Sequence, residues 1–301
     1  MKFVRPITVT SQMLAASNIL ENDYAEWSAS VNYSLGDRVI AAAYGRIYES
    51  IAAGTGTNTN HIPWQDTASA YWVDIGAMNK WKMFDNAVSS QTQRVGVIDV
   101  TVTPETPVDS IAFINADATS AQITITDPVE GVVHDQSYAL TSPGVVNNWY
   151  AYFFDDVMRK ADLLVDGLPM YANASIRAQI SSPGTTKIGA LVFGRGKTIG
   201  ATQYGAGVGI DDYSIKQQND WGDYTIVERA FRKIGSFDVQ IENYMVDFIQ
   251  QLLAQYRAAP ALYIGSDSYG ATLLYGFFKS FDINLAYPSY SMCSISVEGL
   301  T

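Results

Sequence analysis

The stretch from Tyr224 to Leu300 constrains the fold most, because two different periodicities meet in it. Tyr224-Thr-Ile-Val-Glu-Arg-Ala-Phe231 and Ser236-Phe-Asp-Val-Gln-Ile241 alternate apolar with polar residues. Period two with β-branched and aromatic residues predicts strands with one buried face. Asn243 then stands where a cap belongs, ahead of a helix predicted over residues 244–257. Met245, Phe248, Ile249, Leu252 and Tyr256 recur at helical spacing and form one apolar stripe. Pro260 closes the helix. Ala261-Leu-Tyr-Ile264, Leu273-Leu-Tyr-Gly-Phe-Phe278 and Ser291-Met-Cys-Ser-Ile-Ser-Val297 return as strands. One amphipathic helix laid on an antiparallel sheet buries both apolar faces at once. The stripe is the candidate contact face of the helix, and no residue set in this stretch has the pattern of a catalytic centre.

With 301 residues, the chain is long enough for two or three units with cores of their own. The predicted fold class is mainly β, in four parts. Residues 1–23 form an N-terminal arm, with a short helix expected within Val9–Leu20. Residues 24–84 form a small aromatic-rich module, with Gly36-Asp37 and Gly45 supplying its turns. Residues 85–198 read as an antiparallel sandwich, because short strands such as Val95–Thr103, Ser110–Asn115, Gln122–Thr126 and Ser175–Ile180 recur between turn signals. Trp149–Phe154 is predicted as a central strand of it. Residues 199–301 hold the sheet and helix, entered through a glycine-rich connector over Ile199–Gln218.

Composition narrows the function. The net charge is −11, and phosphate contacts need Lys and Arg, so no nucleic-acid partner is expected. Nineteen tyrosines suit interfaces, since Tyr buries a ring and keeps its hydroxyl on a partner; the plainer account is that many-stranded β-proteins are rich in Tyr. The single cysteine, Cys293, reads as a small core residue and allows no intrachain disulfide. The N-terminus lacks the apolar core of a signal peptide, and no run approaches the roughly 20 apolar residues of a membrane span. The chain is expected to stay in the cytoplasm that makes it, or to leave by a route such as lysis.

Chemistry-bearing motifs are sparse. Gly194-Arg-Gly-Lys-Thr198 ends like a phosphate loop, but Leu191 occupies the position of the required first glycine. Gly205-Ala-Gly-Val-Gly209 lacks the dinucleotide spacing and reads as a turn. His61 and His134 lie too far apart for a metal pair. Asp155-Asp156 and Asp211-Asp212 could hold a hard cation, with exposed turns the plainer reading. The sequence therefore predicts no catalytic, cofactor or metal site.

Within residues 24–84, Trp27, Tyr33-Ser-Leu-Gly36-Asp37-Arg-Val39, Tyr44-Gly45-Arg-Ile-Tyr48 and Trp72 together resemble the chitin-binding module of carbohydrate-binding families 5 and 12. That resemblance implies a glycan-stacking platform of exposed aromatics after the Tyr-containing strand. Here that place reads Glu49-Ser-Ile-Ala-Ala-Gly54, so Trp64, with Tyr44 and Tyr71, is the candidate stacking set. The plainer role of Trp27, Tyr33 and Trp72 is core. The strand order of residues 85–198 resembles a galactose-binding-like jelly roll.

Taken from Tyr24 to Leu300, the chain resembles virion proteins of tailed bacteriophages. The matching segments include Trp81-Lys-Met-Phe-Asp85, Gly189-Ala-Leu-Val-Phe-Gly194, Val227-Glu-Arg-Ala-Phe231 and Ser294-Ile-Ser-Val-Glu-Gly-Leu300. The resemblance implies a non-enzymatic structural component of the tail, near the tip or baseplate. Its expected partners are further copies of itself in a ring, other tail proteins and fibres, and host surface polysaccharide. The alternatives are a glycan-binding adhesin, a neck or collar protein at the head–tail junction, and a glycan-cleaving enzyme with two convergent carboxylates.

Overall fold

The computed structural model describes residues 1–51, 61–142, 148–154, 158–219 and 221–301. The fold is mainly β and antiparallel, with one helix of more than two turns among the described residues. A five-stranded sheet runs in the order Gly131–Ala139, Ser120–Asp127, Ser175–Ser181, Ile98–Val102, Leu14–Ser17. It faces one end of an eleven-stranded sheet, where Leu163–Val165, Ser110–Asp117 and Thr185–Thr198 lie side by side. Alternation explains the fit: Ile98, Val100 and Val102 meet Ile123, Ile125, Ile176, Ile180, Ile111 and Phe113 in one core. Each such side chain contributes about 1.5–3 kcal/mol on burial.

The large sheet does not stop at the sandwich. Lys2–Pro6 pairs with Thr185–Thr198 on one side (Lys2↔Thr198) and with Ala261–Ile264 on the other (Lys2↔Ile264). Leu273–Asn284, Tyr290–Gly299 and Phe231–Glu242 follow. One continuous sheet therefore crosses residue 198. The helix expected near the N-terminus does not form; Leu14–Ser17 is a strand on the edge of the smaller sheet. Phe3 and Val4 are both buried, one on each face, which requires a central strand rather than a loose arm.

The helix spans Val246–Gln255 after a 3-10 turn at Asn243–Met245. Asn243 does not cap it. Its side-chain amide donates to the carbonyls of Tyr287 (3.1 Å) and Pro288 (2.9 Å), and its oxygen accepts from Ser291 Oγ (2.6 Å). Of the predicted stripe, Ile249 and Tyr256 are buried against Phe3, Phe237, Val239 and Ile295, with Met245 and Leu252 partly buried beside them. Phe248 is 38% exposed and lies under Lys197 Nζ, 4.1 Å from the ring centre. Leu253, outside the predicted stripe, is fully buried.

Two further strands differ from expectation. Trp149–Phe154 is a short helix, with Trp149 stacked on Phe153 (6.3 Å) and Tyr150 tilted against Phe154 (4.8 Å). Spacing of four fits a helix, and it outweighs the alternation in the same six residues. Tyr224–Phe231 is not one strand with a buried face. Tyr224–Val227 forms a hairpin with Ile215–Gln218, and Phe231 opens the next strand.

Candidate functional site

The aromatic module is a three-stranded sheet of Arg38–Ala41, Arg46–Ser50 and Trp72–Ala77. Tyr33, Val39, Ala41, Tyr48 and Trp72 form its core, with Tyr33 edge-on to Trp72 at 5.2 Å. Trp72 Nε1 donates to His61 O (3.0 Å), and Tyr33 Oη accepts from Ser28 N (2.7 Å). Both rings thus fill the structural role. Gly45 is demanded twice: its φ is +65°, and a Cβ there would stand 2.6 Å from Trp81 Cδ1.

Asp66 fixes the loop that carries Trp64. Its carboxylate accepts N–H bonds from Tyr71 (2.7 Å), Trp72 (2.9 Å) and Ala70 (3.1 Å). Burial pushes that carboxyl up, but the backbone donors of Tyr71, Trp72 and Ala70 outweigh it and hold the group below the usual carboxylate range. Trp64 is half-buried, edge-on to Trp27 (5.5 Å) and tilted by 30° against Tyr44 (5.3 Å). Tyr44 is 57% exposed. Trp64 and Tyr44 therefore share one patch. Tyr71 stands apart from this pair in ring contact, stacked on His61 at 3.6 Å. Of the Glu49–Gly54 stretch, where the resemblance places a stacking platform, residues 52–54 lie outside the described residues.

A cleft of about 1010 Å³ opens between this module and the large sheet. Arg5, Arg38, Arg46 and Lys82 line it, with Tyr24, Tyr256 and Tyr275 among them. Arg46 forks onto Asp74 (2.8 and 2.9 Å), and Arg38 donates to Glu49 (2.8 Å) and to Tyr24 Oη (3.1 Å). Arg5 and Lys82 form no ion pair among the described residues, although the charge of Lys82 is felt by Asp85. Asp85 is the one carboxylate among the lining residues. Burial pushes it above the usual range, against the N–H of Ala87 that it accepts at 2.8 Å. Burial, with the charge of Asp85, also pushes the Tyr275 phenol up to about 12. A pair of carboxylates is what glycoside hydrolysis needs, and this cleft lining supplies one.

The other candidates resolve individually. Asp211 pairs with Arg232 (2.9 Å) and Asp212 with Lys216 (2.9 Å), so both carboxylates are neutralised by side chains. Asp155-Asp156 lies outside the described residues. Among the described residues, no three His, Cys, Asp or Glu side chains gather as metal ligands. Gly194–Thr198 is part of the Thr185–Thr198 strand. No described helix is long and apolar enough to cross a membrane.

The sequence did not single out the surface between Tyr204 and Phe231. The hairpin of Ile215–Gln218 and Tyr224–Val227 makes no sheet with the body. Trp221 is 91% exposed, Ile226 67% and Tyr224 64%, with Tyr204, Ile210, Val227 and Phe231 exposed around them. The signal was present as alternation in Tyr224–Phe231, but alternation does not say which molecule covers the apolar face. No family model, curated protein or solved structure matches this chain.

Proposed function

We propose that the chain is a structural assembly protein that works through protein–protein contacts, as a component of a bacteriophage tail near its tip or baseplate. The observation that carries the assembly reading is the exposed hairpin. Two strands without a core of their own are marginal in water, and a contiguous exposed apolar surface marks an interaction site. The tail assignment is supported by the sequence resemblance from Tyr24 to Leu300. A defined oligomer in sedimentation velocity is the expected result; a chain that stays monomeric at every concentration overturns the ring. Antibody labelling of intact particles tests the location. Label at the far end of the tail supports the baseplate, label at the neck moves the partners to the head–tail junction, and no label removes the virion role.

A second reading is favoured by the Tyr44–Trp64 pair, which offers an exposed ring beside a half-buried one. Glycan stacking on that patch is tested by titration with chitin oligomers and host polysaccharide. No heat with any of them removes it.

A further inference from the structure

The register of the large sheet sets Arg5 directly opposite Arg195, and Phe3 opposite Lys197. Side chains directly opposite in an antiparallel pair share a face, with Cβ atoms about 4.5–5.5 Å apart, and like charges there are destabilising. Arg5, Arg195 and Lys197 thus gather on the face that carries the helix, where Arg5 lies 5.6 Å from the ring centre of Tyr256. None of the three forms an ion pair among the described residues, whereas Lys82 across the cleft has Asp85 as an electrostatic neighbour. The chain has 30 acidic residues against 19 basic ones, so acids to neutralise this cluster are in ample supply. Among the lining residues of the cleft the one carboxylate is Asp85, which interacts electrostatically with Arg46 and Lys82 rather than with Arg5. Arg5 thus lines the cleft, and Arg195 stands beside it across the strand pair, so cations without an ion pair flank one edge of the cleft.

The same imbalance points to a partner for these cations. A surface of net charge −11 repels copies of itself, except where a cationic island meets acids. On the exposed hairpin, Asp223 and Glu228 make no ion pair among the described residues, and they bracket the exposed Tyr224 and Ile226. Acid and aromatic on the hairpin answer cation and tyrosine in the cleft.

We propose that the Arg5–Arg195 cluster and the adjoining cleft receive the Ile215–Gln218 and Tyr224–Val227 hairpin of a second copy, with Asp223 and Glu228 meeting the cations. The inference rests on the assembly reading above. Because cleft and hairpin are different surfaces, the contact is head to tail. An open chain of copies keeps one free cleft at one end and one free hairpin at the other until a ring closes.

The test is a charge swap in the full chain, read by sedimentation velocity with a thermal melt of each variant as a folding control. Arg5→Glu with Arg195→Glu, and separately Asp223→Lys with Glu228→Lys, should each weaken self-association by at least about tenfold. All four substitutions in one chain should recover most of it. Association should also fall as salt rises from about 50 to about 500 mM, as expected of exposed charges. The hairpin variant keeps the test open if the strand variant fails to fold. An oligomer indifferent to both swaps overturns this contact and leaves the assembly reading standing. A chain that is monomeric throughout removes both. Stabilisation by inorganic phosphate that Arg5→Glu abolishes, with no change in association, overturns the proposal in favour of a small-anion site.

Discussion

Gly189 and Asn115 face each other across the Thr185–Thr198 and Ser110–Asp117 strands, and together they reverse which residues point into the sandwich. Ile188 and Leu191 both enter its core, although three residues apart, and so do Phe113 and Ala116. Asn115 makes the reversal with φ +52°, and its amide donates to Val88 O (2.9 Å). A Cβ on Gly189 would stand 2.2 Å from that same Val88 oxygen and 2.9 Å from Asn115 Cβ. Gly189→Ala should therefore destabilise by about 2–3 kcal/mol, since backbone rather than a flexible side chain must move. Asn115→Gly should be milder than Asn115→Ala, because glycine tolerates positive φ. Denaturant titration checks both, and an unchanged midpoint for Gly189→Ala refutes the close approach.

Acid should loosen the sandwich in part through Asp99. Arg177 forks onto it, with Nε at 2.9 Å, and Gln179 adds a donor at 3.0 Å. The Arg177 hydrogen bonds, opposed by burial and helped by its charge, hold the Asp99 carboxyl below the usual range. A depressed carboxylate contributes stability above its unfolded value near 3.9, lost as pH falls through the lower folded value. Asp99→Asn should flatten that acid limb and lower stability at pH 7 by no more than about 1 kcal/mol, because Arg177 is half exposed. The check is stability measured from pH 7 down to acid for both proteins; identical limbs exclude the role.

Cys293 should be silent in the folded protein. It is buried among Val239, Ile241 and Ile295, and burial, with the charges of Asp282 and Asp238 adding to it, pushes its thiol up to about 11. The thiolate is the reactive form, so alkylation at pH 8 should be negligible until denaturant is added. Stoichiometric labelling of the native chain contradicts this burial.

Much of the strand pattern was legible, because period two survives in Ser236–Ile241, where Phe237, Val239 and Ile241 go inward. What eluded the sequence depends on partners distant in the chain. Lys2–Pro6 is central only because Thr198 and Ile264 both reach Lys2, and nothing local in five residues encodes that. Asn243 looked like a cap, but the carbonyls of Tyr287 and Pro288 claim its amide. Of the glycan candidates, Tyr44 and Trp64 meet beside the turn that Asp66 pins through the N–H groups of Ala70, Tyr71 and Trp72, while Tyr71 is drawn onto His61. The cationic cluster required strand register, since Arg5 and Arg195 are 190 positions apart.

The joint between the sandwich and the last strands offers the sharpest test of how the two ends of the large sheet are tied together. Asp162 is nearly buried; one oxygen accepts the Asn115 N–H (3.0 Å) and the other contacts Lys233 Nζ. The pair ties the Phe231–Glu242 strand to the Ser110–Asp117 strand, beside a small cavity of about 140 Å³ lined by Phe231, Tyr275 and Leu300. Removing one partner leaves the other charge poorly compensated, a loss of up to about 3–5 kcal/mol for a fully buried pair. Lys233 retains some exposure, so about 2–3 kcal/mol is expected for Lys233→Met and for Asp162→Asn alike. The double variant should fall well short of the sum, because the second change removes the orphan that the first created. Additive losses in that cycle, read from denaturant melts, would mean that Asp162 acts only through Asn115 and that Lys233 contributes by packing.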